Sequence, residues 1–459
     1  MKPISISTEP ATFRSLRTLA PSARSSLIRR IEDAATKRAF HYKGRHAHPM
    51  GLAPMVSTKG LVRTITALVR ILHRFQTRAP DLRLGDVQGF RELIRLEKGT
   101  RRWFDATARL VPKPWPLLMR PDFCLGERAG VLRPVLFELN SLMLGGLYIQ
   151  SVARSLMTKE VLPAVAGSRP KPGFKPTTDL IAYFMRWMRD CRARHGRGPG
   201  GLALLESLPP GGGFSELPRI AHDMAAEGWR VEHGDPKELE LRKGRVRLHG
   251  MPVAYAYRDF SFEDVSGPAS PSMAGFAALW AAGRVAPGFA ADFDQKGILE
   301  CFTSEDFAPL FTAQERRLLA RHVPWTRVLT ERRTLSPEGR SVDLPAYVLR
   351  RQAELVLKPS WGAGGEGILI GRHTPASEWR SAVSRALKDP GSFAVQAYVD
   401  NPPIACAFLR DGRMRFEECR QTLGTFFDGS RFGFHLRVSP GHIVNVAQGG
   451  ALAPLYIPR

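Results

Sequence analysis

Cysteine is scarce in this chain and never paired in sequence. Cys124, Cys191, Cys301, Cys406 and Cys419 are odd in number, far apart and form no Cys-x-x-Cys. That usage argues against a disulfide framework or a zinc ribbon and points to a reducing cytoplasm. Long apolar runs are also missing, since none reaches the ~18 residues that suggest a membrane helix. The opening residues lack the apolar stretch of a secretory signal. Their arginines (Arg14, Arg17, Arg24, Arg29, Arg30) read as a basic surface helix. No internal repeat or low-complexity tract stands out. Acid is in short supply: 43 Asp and Glu stand against 67 Lys and Arg, a formal charge of +24. Such a charge suits nucleic acid, an anionic membrane or anionic small molecules. Arginine is spread along the whole length, without a basic tail or a Lys/Arg block among aromatics. No nucleic-acid recognition module is therefore indicated.

What is present suits a globular chain of several domains: 459 residues, 43% hydrophobic and 24% charged. Residues 1–104 read as a helical region. Ser25 or Ser26 caps a helix through Leu27, and Gly60 to Leu72 repeats its apolar residues every three or four positions. Between them, His41, His46 and His48 lie close together, but Lys43 and Arg45 would repel a cation, so the stretch reads as a polar loop.

Residues 105–200 carry the first chemically suggestive stretch, Arg120-Pro121-Asp122 followed by Phe137-Glu138-Leu139-Asn140-Ser141 and then Gly145-Gly146. Val135 to Leu139 predicts a buried strand. Residues two apart on a strand share a face, which sets the side-chain oxygens of Glu138 and Asn140 side by side. A carboxylate and an amide carbonyl are hard donors that suit Mg²⁺. A polar pair at a strand end is the competing reading.

A Gly/Pro-rich linker at 194–201 opens a small α/β module, placed at 201–295. It has strands near Leu202, Trp229 and Val253, a turn at Pro210–Gly213, and a hairpin turning at Lys243-Gly244. Glu206, Arg258 and Asp259 close its strands, where ligand groups gather in α/β units.

Residues 296–459 hold a Thr312/Glu315 capping box and the stretch on which the chain turns. An apolar run ends at Lys358, a loop with Gly362, Gly364, Gly365, Glu366 and Gly367 follows, and a second apolar run closes it. That is strand, loop, strand. Glycines let backbone N–H groups approach a phosphate, and Lys adds a point charge. No Gly-Lys-Ser/Thr follows, so it is no Walker loop. Alone, the stretch reads equally well as a Gly-rich hairpin.

Taken together, these residues resemble the circularly permuted ATP-grasp ligases, the eukaryotic-type glutathione synthetases and glutathionylspermidine synthases. In that group the Glu-x-Asn strand precedes the phosphate-binding Lys and glycine loop, as Glu138-Leu139-Asn140 precedes Lys358 here. Gly145-Gly146 matches the glycines after that strand, and His435, Arg437, Asn445 and Gln448 to Gly450 match the closing segment. The resemblance spans residues 118–459. It implies an α/β (α+β mixed) chain with an ATP-grasp fold in permuted order, an inserted substrate module and an N-terminal helical region.

The resemblance further implies a cytoplasmic ligase that joins a small-molecule or peptide carboxylate to an amine through an acyl phosphate. ATP would lie on Lys358, Gly362, Gly364, Gly365 and Gly367, with adenine on the backbone of Gln396, Ala397, Tyr398 and Val399. Mg²⁺ would be held by Glu138 and Asn140, with Glu366 the only loop carboxylate available as a further ligand. Arg120, Arg437 and Arg258 would face the substrate carboxylate and the transferring phosphoryl group. A homodimer is compatible with the pattern; a membrane or nucleic-acid partner is not expected. The rival readings are a nucleotide-binding module without ligase activity, a nucleic-acid-binding protein driven by its charge, and a kinase that stops at the acyl phosphate.

Overall fold

The computed structural model describes residues 5–41, 46–128, 131–165, 173–196, 198–207, 215–362 and 364–459. The expected turn at Pro210–Gly213 and the middle of the His41–His48 loop lie outside the described residues. The fold is mixed α/β with several sheets, as the alternation of helical and strand patterns suggested. Among the described residues, no helix is long and apolar enough to cross a membrane.

The largest sheet has seven strands, in the order Ile404–Arg410, Met50–Gly51, Ala451–Ala453, Phe432–Ser439, Arg413–Phe427, Arg120–Arg128 and Val131–Asn140. Ile404–Arg410 also pairs with Arg413–Phe427, so five of the strands close on themselves and the last two extend outward as an antiparallel arm. A second, wholly antiparallel sheet runs Thr326–Val328, Phe393–Ala397, Leu355–Pro359 and Leu369–Ile370. Trp379, Val383, Leu357 and Val395 bury its inner face against the helices Leu344–Arg350 and Ala376–Lys388.

A third sheet contains only strands between Gly201 and Ala286. Gly201–Leu205 lies parallel to both Val231–Gly234 and Met251–Arg258. Its hairpin turns at Lys243 and Gly244, both at positive φ, as the Lys-Gly pair suggested.

Two features depart from the sequence reading. The region before residue 104 is not all helix: Met50–Gly51 enters the seven-stranded sheet, and Ile6–Thr8 and Met55–Ser57 pair in a further sheet with Leu455–Pro458. These strands are too short to show a period in sequence. Ser25 and Ser26 are not caps, because Pro21 at the first helical position starts that helix earlier, at Pro21–Lys37. The Thr312/Glu315 capping box is present with both of its reciprocal bonds.

One helix, Lys59–Leu84, ties the layers together. Thr58 caps it, and Leu61, Ile65, Leu68, Leu72, Phe75 and Ala79 form a fully turned-in stripe. Phe75 packs among Phe90, Phe302 and Phe311, drawn from three other segments. Burying one such side chain contributes about 1.5–3 kcal/mol.

Candidate functional site

The antiparallel arm and the second sheet meet at a cleft. Arg120–Arg128 and Val131–Asn140 pair regularly until a bulge: Phe123 lies opposite Leu136 and Asp122 opposite Glu138, leaving Phe137 as the extra residue. Beyond the bulge Arg120 lies opposite Asn140. Directly opposed residues share a face of the sheet, so Arg120, Asp122, Glu138 and Asn140 form one polar cluster. Arg120, Glu138 and Asn140 line a cavity of about 450 Å³ together with Gly146, Asp294, Lys296, Gly362, Gly364 and Arg437.

Asp122 is the hub of this cluster. It is 1% exposed and accepts from Arg120 Nε at 3.1 Å, Arg437 Nη2 at 2.6 Å and Asn140 Nδ2 at 3.2 Å. Burial alone would raise its pKa, but Arg120 and then Arg437 hold it below the usual carboxylate value. Two guanidiniums on one carboxylate leave one positive charge in excess. The Nε of Arg437, like that of Arg258, is buried and donates to no group among the described residues. His435, two residues earlier on the same strand, is also buried, and burial with the nearby Arg437 and Arg120 keeps it well below its ordinary pKa. It is therefore a neutral imidazole. Gly146 sits against this ring, and a Cβ there would lie 2.6 Å from its Cε1, so the close approach requires glycine.

Lys358 enters from the other side. Its strand, Leu355–Pro359, runs antiparallel to Phe393–Ala397. The ammonium donates to Gln396 Oε1 at 2.7 Å and, across the cleft, to the carbonyl of bulged Phe137 at 2.9 Å. That leaves one of its three donors unassigned. Burial pulls its pKa down to about 8. The strand of Glu138 and the strand of Lys358, 220 residues apart in sequence, thus face each other as the split motif suggested. Gly362, Gly364, Gly365 and Gly367 all take positive φ, giving a loop shaped by backbone requirements that only glycine meets easily. Gly362 and Gly364 line the cavity of Glu138, whereas Gly365 lines an adjoining one of about 160 Å³ with Lys358.

The smaller cavity is also lined by Gln396, Ala397, Tyr398 and Val399. The N–H of Ala397 already donates to Trp325 O at 2.8 Å and that of Tyr398 to Glu354 O at 2.7 Å. These two residues therefore do not offer their N–H groups to a base, which corrects the expectation that the whole segment's backbone is available.

Two expected site residues lie elsewhere. Arg258 is 0% exposed and makes a bidentate pair with Asp292 at 3.0 and 2.7 Å, its guanidinium over the Phe262 ring. It lines neither cleft cavity. The strand-end position was read correctly, but a carboxylate 34 residues downstream seals it in the core. Glu366 is exposed and lines neither cavity, because the glycine turns carry it outward.

The sequence reading missed Lys296, whose ammonium is 3.1 Å from Glu138 Oε1 and also donates to the carbonyl of Gly362. It missed Asp294, which accepts from the N–H of Ser141 and Leu142 and whose pKa burial raises to about 6. It missed Glu216 as well. That buried carboxylate accepts from the N–H groups of Gly146, Tyr148 and Ile149 at the start of helix Leu147–Leu156. No local motif surrounds these three residues. The one available signal was that Asp294-Gln295-Lys296 places charge within an otherwise apolar stretch.

Among the described residues, no group of three or more His, Cys, Asp or Glu is arranged to hold a metal ion. No protein-family model matches the chain, and no curated protein matches its sequence. Solved structures do. A glutathione synthetase-like effector from Globodera pallida, in its apoform, superposes with a TM-score of 0.65 at 12% sequence identity, covering 96% of this chain and 98% of that one. At that identity the likeness is one of fold alone, a glutathione synthetase-like fold over 96% of the chain.

Proposed function

We propose that the chain is an ATP-dependent carboxylate–amine ligase with an ATP-grasp fold in permuted order. The observation that carries this reading is the Lys358 ammonium, set between Gln396 and the Phe137 carbonyl at the wall of the smaller cavity. A buried cation beside a glycine-rich loop, with an acid-and-amide strand opposite, is the equipment needed to position a triphosphate.

In this reading Lys358 and the amides of residues 362, 364, 365 and 367 bind the phosphates of ATP, and the base lies against Gln396 to Val399. Glu138 and Asn140 supply a carboxylate and an amide oxygen on one face. That donor set suits Mg²⁺, which keeps several waters and relies on substrate phosphates rather than a full protein cage. Bound there, Mg²⁺ would neutralise phosphate charge. Arg120 and Arg437, the surplus cations of the Asp122 hub, orient the substrate carboxylate. One oxygen of that carboxylate attacks the γ-phosphorus as the bond to the β-phosphate oxygen breaks, releasing ADP. The amine then attacks the carbonyl carbon of the acyl phosphate, inorganic phosphate departs, and the amine nitrogen gives up a proton. Such a sequence draws mainly on positioning and charge stabilisation.

The test is a screen of acid and amine pairs for ADP release, with mass spectrometry of the products. Lys358→Ala and Glu138→Ala are each expected to lower substrate-dependent ADP release by about 10²-fold or more, with circular dichroism unchanged. Full activity in both variants would sink the assignment.

A second reading, a nucleotide-binding module without ligase activity, has one observation in its favour. Glu138 is paired with Lys296 and Glu366 lies outside the cleft, so two of the three expected metal donors face the cavity. Mg-ATP binding by calorimetry, without ADP release for any pair, would select it.

A further inference from the structure

The diffuse positive charge of the sequence gathers at one place that the cleft does not use. Arg83, Arg91, Arg95, Arg101 and Arg109 line a cavity of about 730 Å³, where they meet only two carboxylates, Asp105 and Asp389. The arginines come from three helices and the segments that follow two of them, with Arg95 in the connection after Phe90–Leu93. Arg83 ends Lys59–Leu84, Arg91 lies on Phe90–Leu93, and Arg101 on Lys98–Thr107, with Arg109 just beyond it. Arg101, Asp105 and Arg109 are spaced four apart, which turns them to one side. The walls are apolar: Leu84, Leu96, Phe104, Trp361 and Pro390.

Among the described residues, none of the five guanidiniums is in an ion pair; Arg83, Arg91 and Arg95 are steadied by backbone carbonyls instead. Arg83 is buried, with its guanidinium carbon 5.7 Å from the centre of the Phe104 ring. Its pKa falls below the ordinary value, first through burial, with Arg91 and Arg101 pushing the same way against Asp105. Folding therefore concentrates like charge in a concave, partly apolar basin, an arrangement that repels itself until an anion enters. An ordinary solvated face would spread these groups or interleave acids.

We propose that this basin is a binding site for a small phosphorylated molecule carrying at least two phosphate groups, separate from the nucleotide cleft. Guanidiniums recognise phosphate oxygens bidentately, and five of them exceed what a single phosphate can use. A concavity of this volume is the size of a small-molecule site. Trp361 lines this basin and the Glu138 cavity as well, so occupancy is transmitted to the first residues of the glycine loop. The assignment stands on the arginines alone and does not depend on the ligase reading.

Calorimetric titration with metal-free inorganic tripolyphosphate tests it on the full chain. Arg101→Ala/Arg109→Ala changes two exposed side chains and preserves the fold, whereas Lys358→Ala removes the cleft's main phosphate ligand. One tripolyphosphate site is expected to survive Lys358→Ala and to weaken about tenfold or more in the double arginine variant. Wild-type emission is also expected to shift on binding, and Trp361→Phe to lose that shift. Unchanged affinity in the double variant, or loss of all binding in Lys358→Ala alone, overturns the proposal. So does a twelve-nucleotide single strand that binds these arginines more tightly than tripolyphosphate with a steep salt dependence, since the basin would then belong to nucleic acid.

Discussion

Two buried aspartates, Asp122 and Asp292, hold arginines in this molecule and do opposite things with them. Asp292 faces one guanidinium, that of Arg258, in a bidentate pair sealed by Phe262 and Trp280. Burial wins there, and the Asp292 pKa is raised despite its partner. Asp122 faces two guanidiniums and an amide, and its pKa is lowered. The first centre is neutral and closed, as a structural tie. The second keeps a surplus cation at the wall of a cavity. Cations per carboxylate, rather than burial or residue type, separate a fastening from a binding site.

The largest expected effects come from removing each carboxylate. Asp292→Ala should cost about 3–5 kcal/mol in urea unfolding, the usual penalty for orphaning a buried charge. Asp122→Ala leaves two guanidiniums together and should cost more. A smaller loss for Asp122→Ala would break the contrast.

Next in size is a pH effect at Lys358, the third cation beside the hub. Its folded pKa is about 8 against 10.5 for an ordinary lysine. Between those values the unfolded chain binds more protons, so stability rises with pH across this window, by about 3 kcal/mol in total. Below pH 8 the folded state carries the full cost of the buried ammonium. Urea midpoints of wild type minus Lys358→Met, taken between pH 7.5 and 10.5, should show this slope. Nucleotide affinity should weaken over the same range as the ammonium deprotonates.

Replacing a whole centre sharpens the comparison. Arg258→Met with Asp292→Leu is expected to be neutral or stabilising by about 1–4 kcal/mol, with ADP release retained. Arg120→Met with Asp122→Leu should abolish ADP release whatever its effect on stability. The smallest effect is reserved for Glu366→Ala, which should stay within about 0.5 kcal/mol in stability and leave Mg²⁺ dependence unaltered.

How far this was legible in sequence follows the range of each interaction. Glu138, Asn140 and Lys358 lie in strands whose apolar flanks and adjoining glycines are local, so their separate motifs could be read and their order compared. Lys296 could not be found that way: what matters is a partner 158 residues away across the cleft. Arg258 was misread for the same reason, because its strand end was visible and Asp292 was not. The long helix announced itself by period, whereas strands of two or three residues such as Met50–Gly51 have no period to show. The arginine basin was hidden by dispersion, since residues from 83 to 109 converge only when three helices fold together.

The extra residue at Phe137 has a genetic consequence. Without it, the pairing of Phe123 with Leu136 would continue in step, and Glu138 would still fall opposite Asp122. What its removal takes away is the bulge carbonyl to which the Lys358 ammonium donates across the cleft, while the Glu138 carboxylate keeps its face. Loss of the single codon for Phe137 should therefore loosen Lys358 in the cleft while leaving Glu138 beside Asp122, although every charged residue of the cleft would still be encoded. Phe137→Leu, which preserves the count, should be tolerated. In this arm one backbone carbonyl, freed from the ladder by an extra residue, meets Lys358 as directly as any side chain.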